Sequence, residues 1–235
     1  MSTVEHIDTA LCRVRAQNPS AMTAEGTNSY VLGTAELVVI DPGPDDPAHM
    51  AALLGVIGDR RLAGILVTHS HKDHSPLAPR VAQATGAPVL AYGDSRAGRS
   101  AQMQALAAQG VAGGGEGVDT AFRPDRCLHD SEALPFGPDA ITALWTPGHM
   151  GNHMCFLWRD RLFTGDHVMG WAPSLVSPPD GDMGAYMRSL DRIRGCAARV
   201  FHPGHGSVID APTARVDALV DHRKRREAAI LQEIA

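Results

Sequence analysis

The sequence is short of long apolar runs, of cysteine and of net charge, and each shortage removes a class of protein. No segment of 18 uncharged apolar residues occurs, and the first 17 residues lack the basic start and apolar stretch of a secretory leader, so neither membrane spanning nor secretion is expected. The four cysteines (Cys12, Cys127, Cys155, Cys196) are widely spaced and include no C-x-x-C pair. That argues against a disulfide scaffold or zinc ribbon and fits a reducing cytosol. Net charge is −5, from 21 basic and 26 acidic residues, which supplies no long-range pull toward nucleic acid or an anionic membrane. No G-x-S-x-G element is present to carry a serine nucleophile. With 44% apolar and 20% charged residues the composition is globular, which excludes disordered, collagenous and coiled-coil chains. At 235 residues one compact domain is the expectation, and it buries enough surface to need no covalent or metal staple.

Histidine is in excess, with 12 copies unevenly placed. They fall in a chain that alternates short strands and helices. Ser29–Leu32 and Glu36–Ile40 are β-rich runs separated by Gly33, a hairpin pattern. Met50, Leu53, Leu54 and Ile57 recur at helical spacing and predict a helix over Pro47–Ile57. Leu62–Val67 is continuously apolar, as in a strand buried on both faces. Ser75-Pro76 offers an N-cap and a first-turn proline for a helix to about Thr85, which Gly86 ends. Pro88–Tyr92 is the next strand. Residues 93–118, with one short helix at Met103–Ala108 and a glycine-rich end, read as a surface excursion. Strands resume at Cys127–His129, Ile141–Trp145, Cys155–Trp158, Leu162–Thr164 and Val200-Phe201, with a helix at Met183–Ile193 before the last. Pro212–Ala235 is helical, with Val216, Leu219, Val220, Ile230, Leu231 and Ile234 at helical spacing. Two β-rich halves with interspersed helices predict an α/β (α+β) chain of packed sheets with helices outside.

The chemistry sits at strand ends. Thr68-His69-Ser70-His71-Lys72-Asp73-His74 follows the buried strand and puts three imidazoles and a carboxylate into six residues. Each imidazole needs a partner for at least one nitrogen, so a core cannot absorb the group, and its donors suit zinc, manganese or iron. A solvated turn with incidental histidines is the bland alternative, and four donors in six residues leave it little room. Three weaker fragments repeat one order of strand, glycine turn and donor: Trp145-Thr146-Pro147-Gly148-His149, Phe163-Thr164-Gly165-Asp166 and Phe201-His202-Pro203-Gly204-His205-Gly206. Each alone reads as a turn. Together they converge, because the ends of neighbouring strands share one rim.

The succession His-x-His-x-Asp-His, Thr-Pro-Gly-His, Thr-Gly-Asp and Pro-Gly-His-Gly over residues 69–206 resembles the metallo-β-lactamase superfamily, and residues 26–30 and 39–43 extend the likeness. The resemblance implies a four-layer αββα sandwich with a two-metal site at one edge of the sheets. Carried over residue by residue, one zinc is held by His69, His71 and His149 and the other by Asp73, His74 and His205, with Asp166 bridging. Three imidazoles leave one tetrahedral position open, as in catalytic rather than structural zinc. His71 stands where flavodiiron oxygen reductases carry a glutamate, and a complete second site departs from the mononuclear iron dioxygenases. Two Zn2+ per chain are therefore expected. The implied chemistry is hydrolysis by a hydroxide bridging the metals, with Asp73 steering its proton. His153 is a candidate proton donor to the leaving group, and a supporting or surface role is equally open to it.

A narrower resemblance is to the β-lactamase-like-2 branch of endoribonucleases and acyl-carrier thioesterases. It rests on residues 114–119, on Ser177–Met183 with Tyr186–Leu190, and on His222-Arg223, Arg226-Glu227 and Ile230-Leu231. In that branch the last helix leads into a small winged-helix-like domain, whereas this sequence stops at Ala235, as a short member or as part of a longer chain, and residues 1–235 are expected to form one domain closed by the helix at about 212–235. The branch implies single-stranded RNA, or a small ester, thioester, lactone or lactam, as substrate, and fold analogy does not choose among them. A non-catalytic binding protein on the same fold is the alternative of another class; seven complete ligands argue against it. A cytoplasmic setting and no membrane partner are expected, and the sequence sets no oligomeric state. Other residues read as structural: Cys155 as a small buried thiol, His167 and His202 on faces opposite their neighbours, and His6, His49, His129 and His222 without function. His222–Arg226 reads as a solvated helix face, since residues 212–235 carry five basic and four acidic side chains. Asp41 is a candidate to orient a ligand histidine, and Trp171–Leu175 to line the substrate groove.

Overall fold

The computed structural model describes residues 2–111 and 117–234, so Gly114, Gly115 and Glu116 of the branch-like passage lie outside the described residues. Strands β1 (Thr3–Asp8), β2 (Leu11–Arg15), β3 (Asn28–Gly33) and β4 (Glu36–Ile40) run antiparallel in succession. Parallel strands β5 (Arg61–Leu66), β6 (Val89–Ala91) and β7 (Arg126–Cys127) complete a seven-stranded sheet. The crossovers pass through α1 (Pro47–Ile57), α2 (Ala78–Thr85) and α3 (Ala101–Ala108). The second sheet has the order β12-β11-β10-β9-β8 and comprises β8 (Glu132–Phe136), β9 (Asp139–Trp145), β10 (Met154–Trp158), β11 (Arg161–Gly165) and β12 (Val200–Pro203). Helix α4 (Met183–Arg194) carries the chain from β11 to the parallel β12, and α5 (Pro212–Ile234) follows.

Alternation along the strands builds the layers. Val31, Val39 and Ile65 face Leu53 and Ile57 of α1 and Val81 of α2. Their neighbours Tyr30, Leu32, Val38, Ile40 and Leu66 face the other way and meet Met154, Phe156, Trp158 and Phe163 of the second sheet. Cys155 and Leu162, on the far side of that sheet, pack against Tyr186, Leu190 and Ile193 of α4 and Val216 and Leu219 of α5. Three apolar seams between four layers make the expected αββα sandwich.

Several elements depart from the sequence expectation for physical reasons. β1 is an exposed, polar edge strand, and β8 is an edge strand carrying Pro135, which removes one ladder donor, so neither shows the usual strand signal. In α1 the buried stripe is His49, Leu53 and Ile57, turned by one residue from the expected one. His49 is fully buried and bonds Ser29 Oγ at 2.8 Å, so it is a packed structural histidine rather than an idle one. Helix α2 begins at Ala78 rather than after Ser75, because the Ser75 hydroxyl donates to Asp119 Oδ2 at 2.8 Å within the histidine loop. Asp46 and Asp182 cap α1 and α4 through Ala48 N and Ala185 N.

Candidate metal centre

Four strand ends deliver the seven residues. The loop after β5 supplies His69, His71, Asp73 and His74; the turn after β9 supplies His149; Asp166 directly follows β11; and His205 lies two residues past the end of β12. All seven are buried and fall into two groups: His69, His71, His149 and Asp166 in one, Asp73, His74 and His205 in the other. The ligand atoms of each group lie within 4.8 Å of one another. Nε2 of His69 and Nε2 of His149 both stand 3.0 Å from His71 Nδ1. In the other group His205 Nε2 is 3.1 Å from Asp73 Oδ2 and 3.3 Å from His74 Nε2. Asp166 spans both. Its Oδ2 is 3.7 Å from His149 Nε2, while Oδ1 is 3.4 Å from His74 Nε2 and 3.3 Å from His205 Nε2. Glycine makes that approach possible, since a Cβ at Gly204 would stand 2.5 Å from Asp166 Oδ1.

The outward nitrogens are committed elsewhere. His74 Nδ1 donates to Asp41 Oδ2 at 2.9 Å. The same carboxylate accepts from Thr68 N and Thr68 Oγ1, both at 2.7 Å, and so leaves the Thr68 oxygen to accept from His69 Nδ1 at 2.9 Å. His149 Nδ1 donates to Leu175 O at 2.6 Å, and His205 Nδ1 to Gly26 O at 3.3 Å. Each of these four rings therefore turns its Nε2 into the cluster, the arrangement that fixes metal-binding imidazoles. Asp73 Oδ1 is buried without a hydrogen-bond partner, and Asp166 Oδ1 has only the long ion-pair contacts to His74 and His205, a deficit that a cation would satisfy.

Electrostatics divide the cluster. Burial holds His69 and His149 below the ordinary histidine range and His71 at about 3, so these imidazoles are neutral and ready to ligate. For His74 and His205 burial is outweighed by the facing carboxylates. His74 rises well above its usual value, chiefly through Asp73, and His205 to about 9, chiefly through Asp166. Burial would raise the two carboxylates, yet His74 beside Asp73, and His205 and His74 beside Asp166, hold both below the usual range. Cation binding would displace the imidazole protons and take over the same carboxylates.

The other candidates separate. His153 lies outside both groups; it is fully buried, its ring 5.1 Å from that of His69 and its Nδ1 2.9 Å from Thr146 Oγ1. A Cβ at Gly165 would stand 2.8 Å from His153 Nε2, which shows how closely the strand end packs there. Asp41 is the partner of His74 that the sequence suggested. Cys155 is buried under Thr146, and burial pushes its thiol up to about 12, so it is inert. Trp171–Leu175 do line a groove, of about 1000 Å3, whose wall includes none of the seven donors but reaches the cluster through Leu175, the acceptor of His149 Nδ1. His222, Arg223, Lys224 and Arg226 line its other wall, so the basic run is not simply a solvated face. The backbone acceptors Leu175 O and Gly26 O and the relay through Thr68 left no mark in the side-chain pattern.

Residues 22–205 match the family model of the metallo-beta-lactamase superfamily, and the chain belongs to that superfamily. It is similar to the atrochrysone carboxyl ACP thioesterase of Aspergillus fumigatus, with 29% identity over 236 residues that cover 97% of this chain and 66% of the relative. It is also similar to the beta-lactamase-like protein 2 homolog of Drosophila melanogaster, with 28% identity over 234 residues, 97% of this chain and 75% of the relative. The chain thus spans about two thirds of the length of the thioesterase. Among solved structures, a metallo-beta-lactamase family protein from Thermus thermophilus superposes with a TM-score of 0.75 at 24% identity, over 97% of this chain and 83% of the other. TTHA1623, solved in a di-iron-bound form, superposes with a TM-score of 0.62 at 26% identity, over 84% of this chain and 96% of the other.

Proposed function

We propose that the chain is a two-zinc hydrolase of an activated carbonyl compound, a thioester first among them. The observation that carries this reading is the convergence of seven buried donors, four of them imidazoles whose outward nitrogens are already committed, beside a groove with an apolar floor. His69, His71 and His149 would hold one ion, Asp73, His74 and His205 the other, and Asp166 both. Zinc held in this way supplies a Lewis acid for the carbonyl oxygen and lowers the pKa of bound water to about 7. The chain's own residues do the rest. Asp73 Oδ1, buried and free of a partner, can take the proton of an attacking water. Asp41 keeps His74 in one tautomer, and Leu175 O does the same for His149. We assign His153 a positioning role beside His69, because its burial and its bond to Thr146 fit support better than proton donation. The four unpaired cysteines fit a reducing cytoplasm. No helix among the described residues is long and apolar enough to cross a membrane.

RNA cleavage, the activity that the narrower resemblance adds, has less support. The groove offers two aromatic rings, those of Trp171 and His222, and its cations are confined to one stretch of α5, where a single strand needs a stacking platform and a basic track along its length. The test is elemental analysis with hydrolysis assays. Metal-replete protein is expected to carry two zinc equivalents and to hydrolyse an acyl thioester in a reaction that chelation abolishes and zinc restores. Asp73→Ala should lose more than the about 10- to 100-fold typical of removing a partner behind a ligand. Iron in place of zinc, a single equivalent, or cleavage of RNA with no thioester turnover would each overturn the reading.

A further inference from the structure

We infer that the groove between residues 169–176 and α5 holds the apolar body of an anionic substrate, with Lys224 and Arg226 reading its negative group. The inference rests on the carbonyl-hydrolase reading and narrows its substrate to acyl compounds that also carry a carboxylate or a phosphate. Helix α5 supplies the first observation. Val216 and Leu219 of its first half are buried in the seam under the second sheet. The same stripe continues past Arg223 to Ile230 and Leu231, where the core has ended and the side chains are 53% and 56% exposed.

The opposite wall is also apolar. Nine large apolar residues are exposed among those described, and six of them line this one groove: Met22, Trp171, Leu175, Met183, Ile230 and Leu231. Singly exposed apolar residues are ordinary, but this concentration marks a binding surface. Met169 and Met187 add two more flexible thioethers to the lining, so the groove adapts to bodies of differing shape.

Charge decides the class of occupant. Arg223 is engaged, donating to Ser174 O and lying over the Tyr186 ring. Lys224 and Arg226 line the groove with no hydrogen bond or ion pair among the described residues, facing a single lining carboxylate, Glu227. Two free cations above an apolar floor match an amphipathic anion rather than a neutral acyl chain or a polynucleotide. Position ties the groove to the chemistry. The Leu175 carbonyl holds His149, and a Cβ at Gly206, beside His205, would meet the Trp171 ring at 2.7 Å.

Calorimetric titration of zinc-loaded protein with decanoate, decyl phosphate and decanol tests this without turnover. Both anions should bind at least tenfold more tightly than decanol, and the better of the two names the head group. K224Q/R226Q should bring the anions down to the decanol level and leave decanol unchanged; K224R/R226K should keep the preference. Leu231→Glu should weaken all three probes. A preference that survives K224Q/R226Q but vanishes on chelation would place the anion on the metal and overturn the inference. So would a dimer, by sedimentation, that covers α5 and binds no probe. Zinc-dependent thioester hydrolysis without anion preference overturns the groove and leaves the hydrolase standing. The expected binding without hydrolysis of any thioester does the reverse.

Discussion

Three imidazoles of the cluster, those of His74, His149 and His205, are aimed by an atom on another segment, and the burden falls on few residues. Asp41, at a left-handed φ of 50°, gives both oxygens to the histidine loop and so sets His69 and His74 together. Other buried histidines serve packing. His202 is stacked on Phe163 at 5.1 Å with neither ring nitrogen bonded. Burial first, then the Arg161 and Arg13 cations, lower its pKa to about 4. The unfolded chain, at an ordinary value near 6.5, therefore takes the proton first. Stability should fall as pH drops from about 6.5 to 4, with this residue contributing up to about 3 kcal/mol of the loss. His202→Phe should flatten that decline in urea titrations across the range; an unchanged slope would show that His202 does not titrate on unfolding. The clustering of these seven residues was legible in the sequence because polar residues packed at strand ends have no use in a core. His49 was not, because its partner Ser29 lies 20 residues away and only the fold brings the two together.

Between β11 and α4 the chain forms a strap that begins at one candidate ligand and orients another. Asp166 starts it, and Leu175 O, near its end, takes the His149 proton. Helix α5 clamps the strap. Arg215 donates to Met169 O at 2.7 Å and to Ala172 O at 2.8 Å, Arg223 donates to Ser174 O, and Tyr186 of α4 reaches His167 O at 3.0 Å. Replacing Arg215 and Arg223 together with alanine should speed amide exchange over residues 169–176 and weaken zinc about tenfold at the His149 site, as for other partners that orient ligands. Chelator competition with exchange mass spectrometry reads both; unchanged values in both would mean the strap holds itself. Helical periodicity gave the extents of α4 and α5, although α5 buries its stripe only in its first half, at Val216 and Leu219. It could not give the clamp, because an arginine bonded to carbonyls looks in sequence like any solvated one. β1 and β8 escaped for the complementary reason: edge strands with polar faces or a proline bury too little to leave a pattern.

At the scale of the molecule the centre lies on the seam between two halves. Its first four donors come from the seven-stranded sheet, and His149, Asp166 and His205 come from the five-stranded one. The halves are also joined without metal. Tyr30 Oη donates to Pro203 O at 2.8 Å, Met154 N to Thr68 O at 2.8 Å, and Asn28 N to Gly204 O at 2.7 Å, above a shared apolar seam. Within the cluster, His74 and His205 paired with Asp73 and Asp166 balance charge in the absence of a cation. Metal should therefore tighten a fold that already exists rather than create it, unlike a small zinc domain. Free zinc at 100 times its dissociation constant contributes about 2.7 kcal/mol per site, and a chain of this size gains roughly 2–4 °C per kcal/mol. Chelated protein should keep its circular dichroism, and its melting temperature should climb by about 5–11 °C as zinc is added back to one site, rising with the logarithm of zinc concentration. Loss of structure on chelation would mean that the seam cannot hold the halves alone. A melting temperature indifferent to zinc would mean that the seven donors bind no metal at the junction.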